Sequence, residues 1–193
     1  MRIDKKDNYF AHEKAIVDSD NIGENTRIWA FSHVLYGSKV GKNCNICEHV
    51  YIENNVILGD DVTVKCGVYI WEGVIIEDKV FIGPCTTFTN DKHPRSKQYP
   101  EDYLKTIVKQ GATLGANSSI MCGITIGEWS TVGMGSVVIN DIRPYEVVVG
   151  NPCRVIGHNC ECGMRLSFDT NNKAQCKCGL KYKKNDLIVE REY

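Results

Sequence analysis

The sequence has no excess of charge of either sign: 23 basic side chains stand against 24 acidic ones, a formal net charge of −1. That balance argues against nucleic acid or a membrane surface as partners, because both select a basic field. No run of 18 apolar residues occurs, and the first stretch, MRIDKKDNYFAHEKAIV, lacks an apolar core of signal-peptide length. No membrane insertion is therefore expected, and the cytoplasm is the expected location. Cysteine, in contrast, is abundant, with ten in 193 residues. A chain of this length can build a core without a disulfide scaffold, so metal ligands or buried thiols are expected.

The chain is organised by a period of six. From Ile16 an aliphatic residue recurs at Ile22, Ile28, Val34, Val40, Ile46, Ile52, Leu58, Val64, Ile70, Ile76 and Ile82, with Phe88 as the thirteenth beat. The series resumes at Val108, Leu114, Ile120, Ile126, Val132 and Val138, displaced in phase by two residues. Period six fits neither a helix nor a simple alternating strand. It describes a solenoid of short strands joined by tight corners, an all-β parallel helix. Glycine follows the beat at Gly23, Gly41, Gly59, Gly83, Gly115, Gly127 and Gly133, where a corner needs an unusual backbone angle or a close approach. Two positions before it stand small or β-branched residues such as Thr26, Ser32, Val62, Val68, Val74 and Ser130, suited to a narrow interior. At three hexads per coil the 19 beats make roughly six coils, a prism roughly 30 Å long.

Between Phe88 and Val108 the period is replaced by TNDKHPRSKQYPEDYLKTI. A long unrepetitive loop on a rigid scaffold is a usual place for function. The expected organisation is a β-helix over 1–157, carrying a projecting loop at 89–107, and a short Cys-rich appendix over 158–193.

The hexads, together with TRIWAFSHV, GPCTTFTNDKHPRS, VKQGATLGANSSIMCGITIGE and VVGNPCRVIG, resemble the hexapeptide-repeat nucleotide-sugar 3-N-acetyltransferases. The resemblance covers about residues 9–157. It implies a left-handed β-helix, a homotrimer with active sites between subunits, acetyl-CoA as donor, and a nucleotide-linked amino sugar as acceptor. The members that make UDP-2,3-diacetamido-2,3-dideoxyglucuronate are the nearest in these motifs, so the expected substrate is UDP-2-acetamido-3-amino-2,3-dideoxyglucuronate, with a surface glycan as destination. An enzyme for a dTDP-3-amino-3,6-dideoxyhexose is the alternative. A non-catalytic binding platform is the non-enzyme alternative, against which the loop motif speaks.

The resemblance also suggests where the chemistry sits. Asn90, in FTND, falls where the family has an Asn beside the reacting amine; read alone, it is also a turn residue. Glu72, in YIWEG, matches an acidic position that can hold the amine or take its proton, and is equally a solvated corner carboxylate. His33 ends a shared WAFSH pattern near the sugar site, with Trp29 and Phe31 either in the core or beside the base. Arg27 and Arg95 have the forked geometry for pyrophosphate or a sugar carboxylate, although both are ordinary surface residues by type. His93 is a candidate base by residue type, histidine being the usual general base, although some relatives have Asn there. Coenzyme A would run past Gly115, Ala116, Gly133 and Gly135 towards Arg154. A carbonic-anhydrase relative, with catalytic zinc on three subunit-bridging histidines, is disfavoured because the five histidines contain no His-x4-His pair.

The appendix repeats one motif, NCECGMRL and QCKCGLKY. Two Cys-x-Cys-Gly pairs can converge on a tetrahedral ion, so Cys160, Cys162, Cys176 and Cys178 are candidate structural zinc ligands. Redox-active thiols are the alternative reading.

Overall fold

In the computed structural model the described residues are 3–6 and 8–192; the expected segment limits at residues 1 and 193 lie outside them, as does position 7 of the opening stretch. The beats build a three-sided prism of parallel strands, most of them two residues long, such as Arg27–Ile28, His33–Val34 and Lys39–Val40. Each strand pairs with its counterpart one coil away, Ile28 with Ile46 and Ile46 with Val64. The first face is a 10-stranded sheet, the second 7-stranded and the third 6-stranded. The prism is thus somewhat longer than the six coils expected, because the first face gains strands at Tyr9–His12 and Glu146–Gly150, outside the series of beats. Its two edges are closed by antiparallel partners, Ile3–Lys6 and Cys153–His158. Such closure removes open edges that would template aggregation. The second of these strands runs across the expected boundary at 157/158.

The beat residues form the core: Ile28, Val34, Ile46, Ile52, Ile70, Ile82, Leu114 and Ile126 are wholly inaccessible. Burying each contributes about 1.5–3 kcal/mol. One expectation fails at the start. Ile16 is 55% exposed, and Val17 takes the inward place, paired with Val34. The first coil is one residue short, and a one-residue slip turns a side chain to the opposite face.

The small column two positions before the beat is buried as expected, including Thr26, Ser32 and Ser130. Two of its hydroxyls satisfy corner carbonyls on the next coil: Thr26 donates to Gly41 O and Ser32 to Cys47 O, both at 2.7 Å. The glycines after the beat serve close approach rather than a special angle. A Cβ on Gly41 would lie 2.3 Å from Gly59 O, and one on Gly115 2.5 Å from Met134 N. Positive φ falls instead three positions after the beat, at residues such as Asn25, Phe31, Asn43, His49 and Asn55.

The loop leaves the second face after Thr87–Phe88 and rejoins the third at Thr106–Val108. Thr106 pairs with Val74, so the excursion ends two residues before the expected limit. Phe88 pairs with Ile120 across the insertion, and this restores the stacking whatever the phase of the sequence.

Beyond the prism, Lys173–Gln175, Lys181–Asn185 and Ile188–Glu192 form a three-stranded antiparallel sheet. A second small core joins it to the last coil, with Tyr182 and Leu166 packed on Tyr145 and Trp129 alongside. No helix among the described residues is long and apolar enough to cross a membrane.

Candidate active site

Strand geometry turns alternate side chains outward, and register stacks equivalent residues of successive coils. On the second face this puts His33 beside Tyr51, and Tyr51 beside Tyr69. The rings form a continuous wall. His33 meets Tyr51 edge-on at 5.9 Å, Tyr51 meets Tyr69 at 6.2 Å, and Trp71 lies 5.5 Å from Tyr51. At the corner before this face, Phe31 stacks on His49 at 5.0 Å and 14°, with Lys14 Nζ 5.5 Å from the Phe31 centroid. The rings and Val50 border a cavity of about 300 Å³.

His33 Nε2 is 2.9 Å from Asp18 Oδ2, which orients the ring. Burial, and behind it the charge of Glu53, pushes the Tyr51 phenol up from its usual range.

Glu72 follows the wall around the next corner. Its carboxylate accepts from Asn55 Nδ2 at 2.7 Å and Asn54 Nδ2 at 3.2 Å, and its backbone N–H donates to Glu53 at 2.7 Å. Two neutral donors hold it without neutralising it, leaving lone pairs for an amine. Asn90 occupies the equivalent corner position one coil on, because Tyr69 pairs with Thr87. Beyond it, where the loop leaves and returns, lies a second cavity of about 420 Å³ bordered by Lys92, Leu104, Met121, Cys122 and Asp141.

Gly115, Ala116, Gly133 and Gly135 stack on the other border of the second face; Gly135 N–H donates to Ala116 O at 2.8 Å. Arg154 is exposed, its guanidinium donating to Cys153 O at 2.9 Å. Along the prism axis the order is therefore aromatic wall, Glu72, Asn90, then the glycine column. Around the axis, Glu72 and Asn90 lie on one border of the second face and the glycines on the opposite border.

The structure brings Phe31 and His33 together but leaves other expected residues outside this cluster. Arg27 points outward on the first face, in register with Phe10 and Asn45. Trp29 donates to Asn45 Oδ1 at 2.8 Å and packs edge-on against Phe10. His93 and Arg95 are exposed on the loop, where Arg95 donates to Pro94 O. Sequence reasoning missed Tyr51, Tyr69, Trp71 and His49. The available signal was that His33, Tyr51 and Tyr69 recur every 18 residues, one position before the beat.

The candidate zinc ligands Cys160, Cys162, Cys176 and Cys178 come together, with their sulfurs within 4.8 Å of one another.

Residues 21–54 and 55–90 match the family described as bacterial transferase hexapeptide (six repeats), and residues 105–139 match the hexapeptide repeat of succinyl-transferase. The chain is 54% identical over 182 residues, 94% of both chains, to the dTDP-3-amino-3,6-dideoxy-alpha-D-galactopyranose 3-N-acetyltransferase of Aneurinibacillus thermoaerophilus. It is 33% identical over 139 residues to the galactoside O-acetyltransferase of Escherichia coli, covering 70% of this chain and 62% of that relative. Among solved structures, a hexapeptide-repeat acetyltransferase of Vibrio cholerae complexed with acetyl coenzyme A superposes with a TM-score of 0.55 at 26% identity. That alignment covers 63% of this chain and 70% of the other.

Proposed function

We propose that this chain, which belongs to the hexapeptide-repeat bacterial transferases, transfers the acetyl group of acetyl-CoA to the 3-amino group of a dTDP-3-amino-3,6-dideoxyhexose. The observation that carries the reading is its 54% identity with such an enzyme over 94% of both chains. The comparison favours this sugar over the UDP-glucuronate derivative that the sequence motifs suggested. The site agrees with it in one respect: a glucuronate brings a carboxylate, whereas a 6-deoxyhexose presents a methyl group. The first cavity is lined by Phe31, Tyr51, Tyr69 and Trp71 with His33, His49 and Val50, a largely aromatic surface against which a methyl group packs, while Lys14 lies over the outer Phe31 ring.

In this reading the base and sugar lie on the aromatic wall, and the amine rests between Glu72 and Asn90. The neutral amine attacks the thioester carbon, the C–N bond forms and the C–S bond breaks. The amine gives up one proton and coenzyme A leaves as the thiol. Glu72 holds the amine through its free lone pairs, and the Asn90 amide orients it near the carbonyl; approach to about 3–3.5 Å is what the step requires. Coenzyme A runs along the glycine column towards Arg154.

Those two halves sit on opposite borders of one face, so a single chain does not unite them. Three copies with parallel axes, each turning its second face inward, would bring the Asn90 border of one to the glycine border of the next. A homotrimer with intersubunit sites follows. The loop carrying His93 and Arg95 would then reach a neighbour, and its guanidinium would serve the pyrophosphate.

The test is thiol release from acetyl-CoA by the purified protein, with dTDP-3-amino-3,6-dideoxygalactose and UDP-2-acetamido-3-amino-2,3-dideoxyglucuronate offered separately. Release with the first alone is expected. Release with the second alone would return the assignment to the glucuronate, and no release with either would refute both.

A further inference from the structure

The two Cys-x-Cys-Gly copies fold into two equal turns. In the first, Gly163 N–H donates to Cys160 O and Cys160 N–H to Met164 O, both at 2.8 Å; in the second, Gly179 donates to Cys176 O and Cys176 to Leu180 O, both at 2.9 Å. Each turn closes on a glycine in the left-handed region, Gly163 at φ 85° and Gly179 at φ 97°, which a side chain would strain. The turns face each other and their sulfurs meet crosswise: Cys160 Sγ is 3.5 Å from Cys178 Sγ, and Cys162 Sγ is 3.5 Å from Cys176 Sγ.

Four sulfurs at tetrahedral positions about 2.3 Å from a zinc ion lie about 3.8 Å apart. The crosswise pairs are already close to that spacing, and all four sulfurs fall within 4.8 Å of one another. One centre equidistant from four sulfurs describes them better than two separate bonds, since a bonded pair stands at about 2.05 Å. One of the four sulfurs also accepts a hydroxyl hydrogen bond. Tyr182 Oη donates to Cys160 Sγ at 3.1 Å while accepting from Glu161 N–H at 3.1 Å. Cys160 and Cys176 are buried and Cys162 and Cys178 exposed, so the pair of turns offers a site at the surface with two ligands anchored in the small core.

We infer that Cys160, Cys162, Cys176 and Cys178 bind one zinc ion per chain, and that this ion clasps the appendix over the C-terminal end of the prism. The four thiols release their protons on binding. A closed four-sulfur shell has no position for substrate, so the role is structural. The need for a clasp is visible in the packing. Apart from the cysteines, the appendix's own buried apolar set is Leu166, Ala174, Tyr182 and Val189, completed by Tyr145 of the last coil, and so small a core rarely holds without a staple. Tyr182 meets Tyr145 edge-on at 5.3 Å. What the ion holds in place is thus the cover of the last coil, which a solenoid requires at its end.

The test uses the full chain purified without added metal and does not depend on acetyl transfer, so it can fail while the proposed function stands. Elemental analysis should find one zinc per chain. Chelation of the wild-type protein should release it, free four further thiols to a colorimetric reagent, and open the segment 158–193 to protease while 21–157 resists. Returning zinc should restore resistance. The Cys162→Ser/Cys178→Ser variant, altered only at the exposed ligands, should lose the zinc. Stoichiometric iron, disulfides between the four cysteines by mass spectrometry, or a metal-free chain whose appendix resists protease would each overturn the inference.

Discussion

Phe31 stacks on His49 with 5.0 Å between ring centroids and 14° between planes, and both residues hold a left-handed backbone, at φ 62° and 59°. That conformation costs a residue with a side chain about 1–2 kcal/mol, and Phe31 is also 54% exposed. Later coils fill the same corner position with Gly67, Asn117 and Gly135, which adopt it more readily, and with the smaller Cys85. A strained, exposed aromatic pair beside a cavity is a feature that packing alone does not explain.

Phe31→Gly should therefore leave the melting temperature nearly unchanged, since relief of the backbone offsets the lost stack, worth about 0.5–1.5 kcal/mol. The KM for the nucleotide sugar should rise about tenfold, in keeping with the roughly 1–3 kcal/mol of an aromatic–base stack, while the KM for acetyl-CoA stays put. Steady-state kinetics with each substrate varied in turn, alongside calorimetry, checks this. A large fall in melting temperature with unchanged KM would make the pair structural.

Asn90→Ala should lower kcat at least about tenfold, the scale of losing an orienting hydrogen bond at the reacting centre, with the assembly size unchanged by light scattering. Glu72→Gln should lower kcat as well; its single amide oxygen can keep the 2.7 Å bond from Asn55 while the 3.2 Å bond from Asn54 is lost, so the cost to stability should stay at about 1 kcal/mol. Full turnover in Asn90→Ala would remove that residue from the centre.

Two glycines should respond differently to the same change. At Gly41 an added Cβ meets the backbone of Gly59 at 2.3 Å, and a backbone atom cannot swing aside. Gly41→Ala should destabilise by about 2 kcal/mol or more. At Gly135 the space is open and only φ +67° opposes a side chain, so Gly135→Ala should cost about 1 kcal/mol. Urea titration of the two variants compares them directly.

Burial pushes the Cys44 thiol above its ordinary value. A thiol whose folded value is raised stays neutral while its unfolded counterpart ionises. Its contribution to stability is complete below about pH 9, the unfolded value, and is lost as pH rises through the folded one. Stability should decline as pH is taken above about 9, and Cys44 should resist alkylation at pH 8 until the chain unfolds. Rapid labelling of native Cys44, read by peptide mass mapping, would contradict this.

Much of the prism was legible because a coil of three short strands repeats a local rule. The inward residue at Ile28, Val34 or Ile46 is set by position in the hexad, and the small residue before it by the width of the interior. The rule broke at Ile16, where a single missing residue changed the side facing inward, and it ran short at both ends. There the inward places fall to Ala11 and Val148, which stack on Ile28 and Val132 but lie outside the six-residue phase. Asn90 and Glu72 could be picked out by motif, yet their common border one coil apart is a product of stacking across 18 residues.

By itself the sequence determined the periodic core, the single excursion at the loop and the paired cysteine turns, since each is written in neighbouring residues. Only the tertiary structure decided that Phe31, His49, Tyr51, Tyr69 and Trp71 form one wall while Trp29 and Arg27 turn elsewhere. It also decided that the expected catalytic and coenzyme residues lie on opposite borders of one face. The physical reason is that a solenoid converts distances of 18 residues into a rise of about 4.8 Å, while a shift of one or two residues at a corner sends a side chain to a different face.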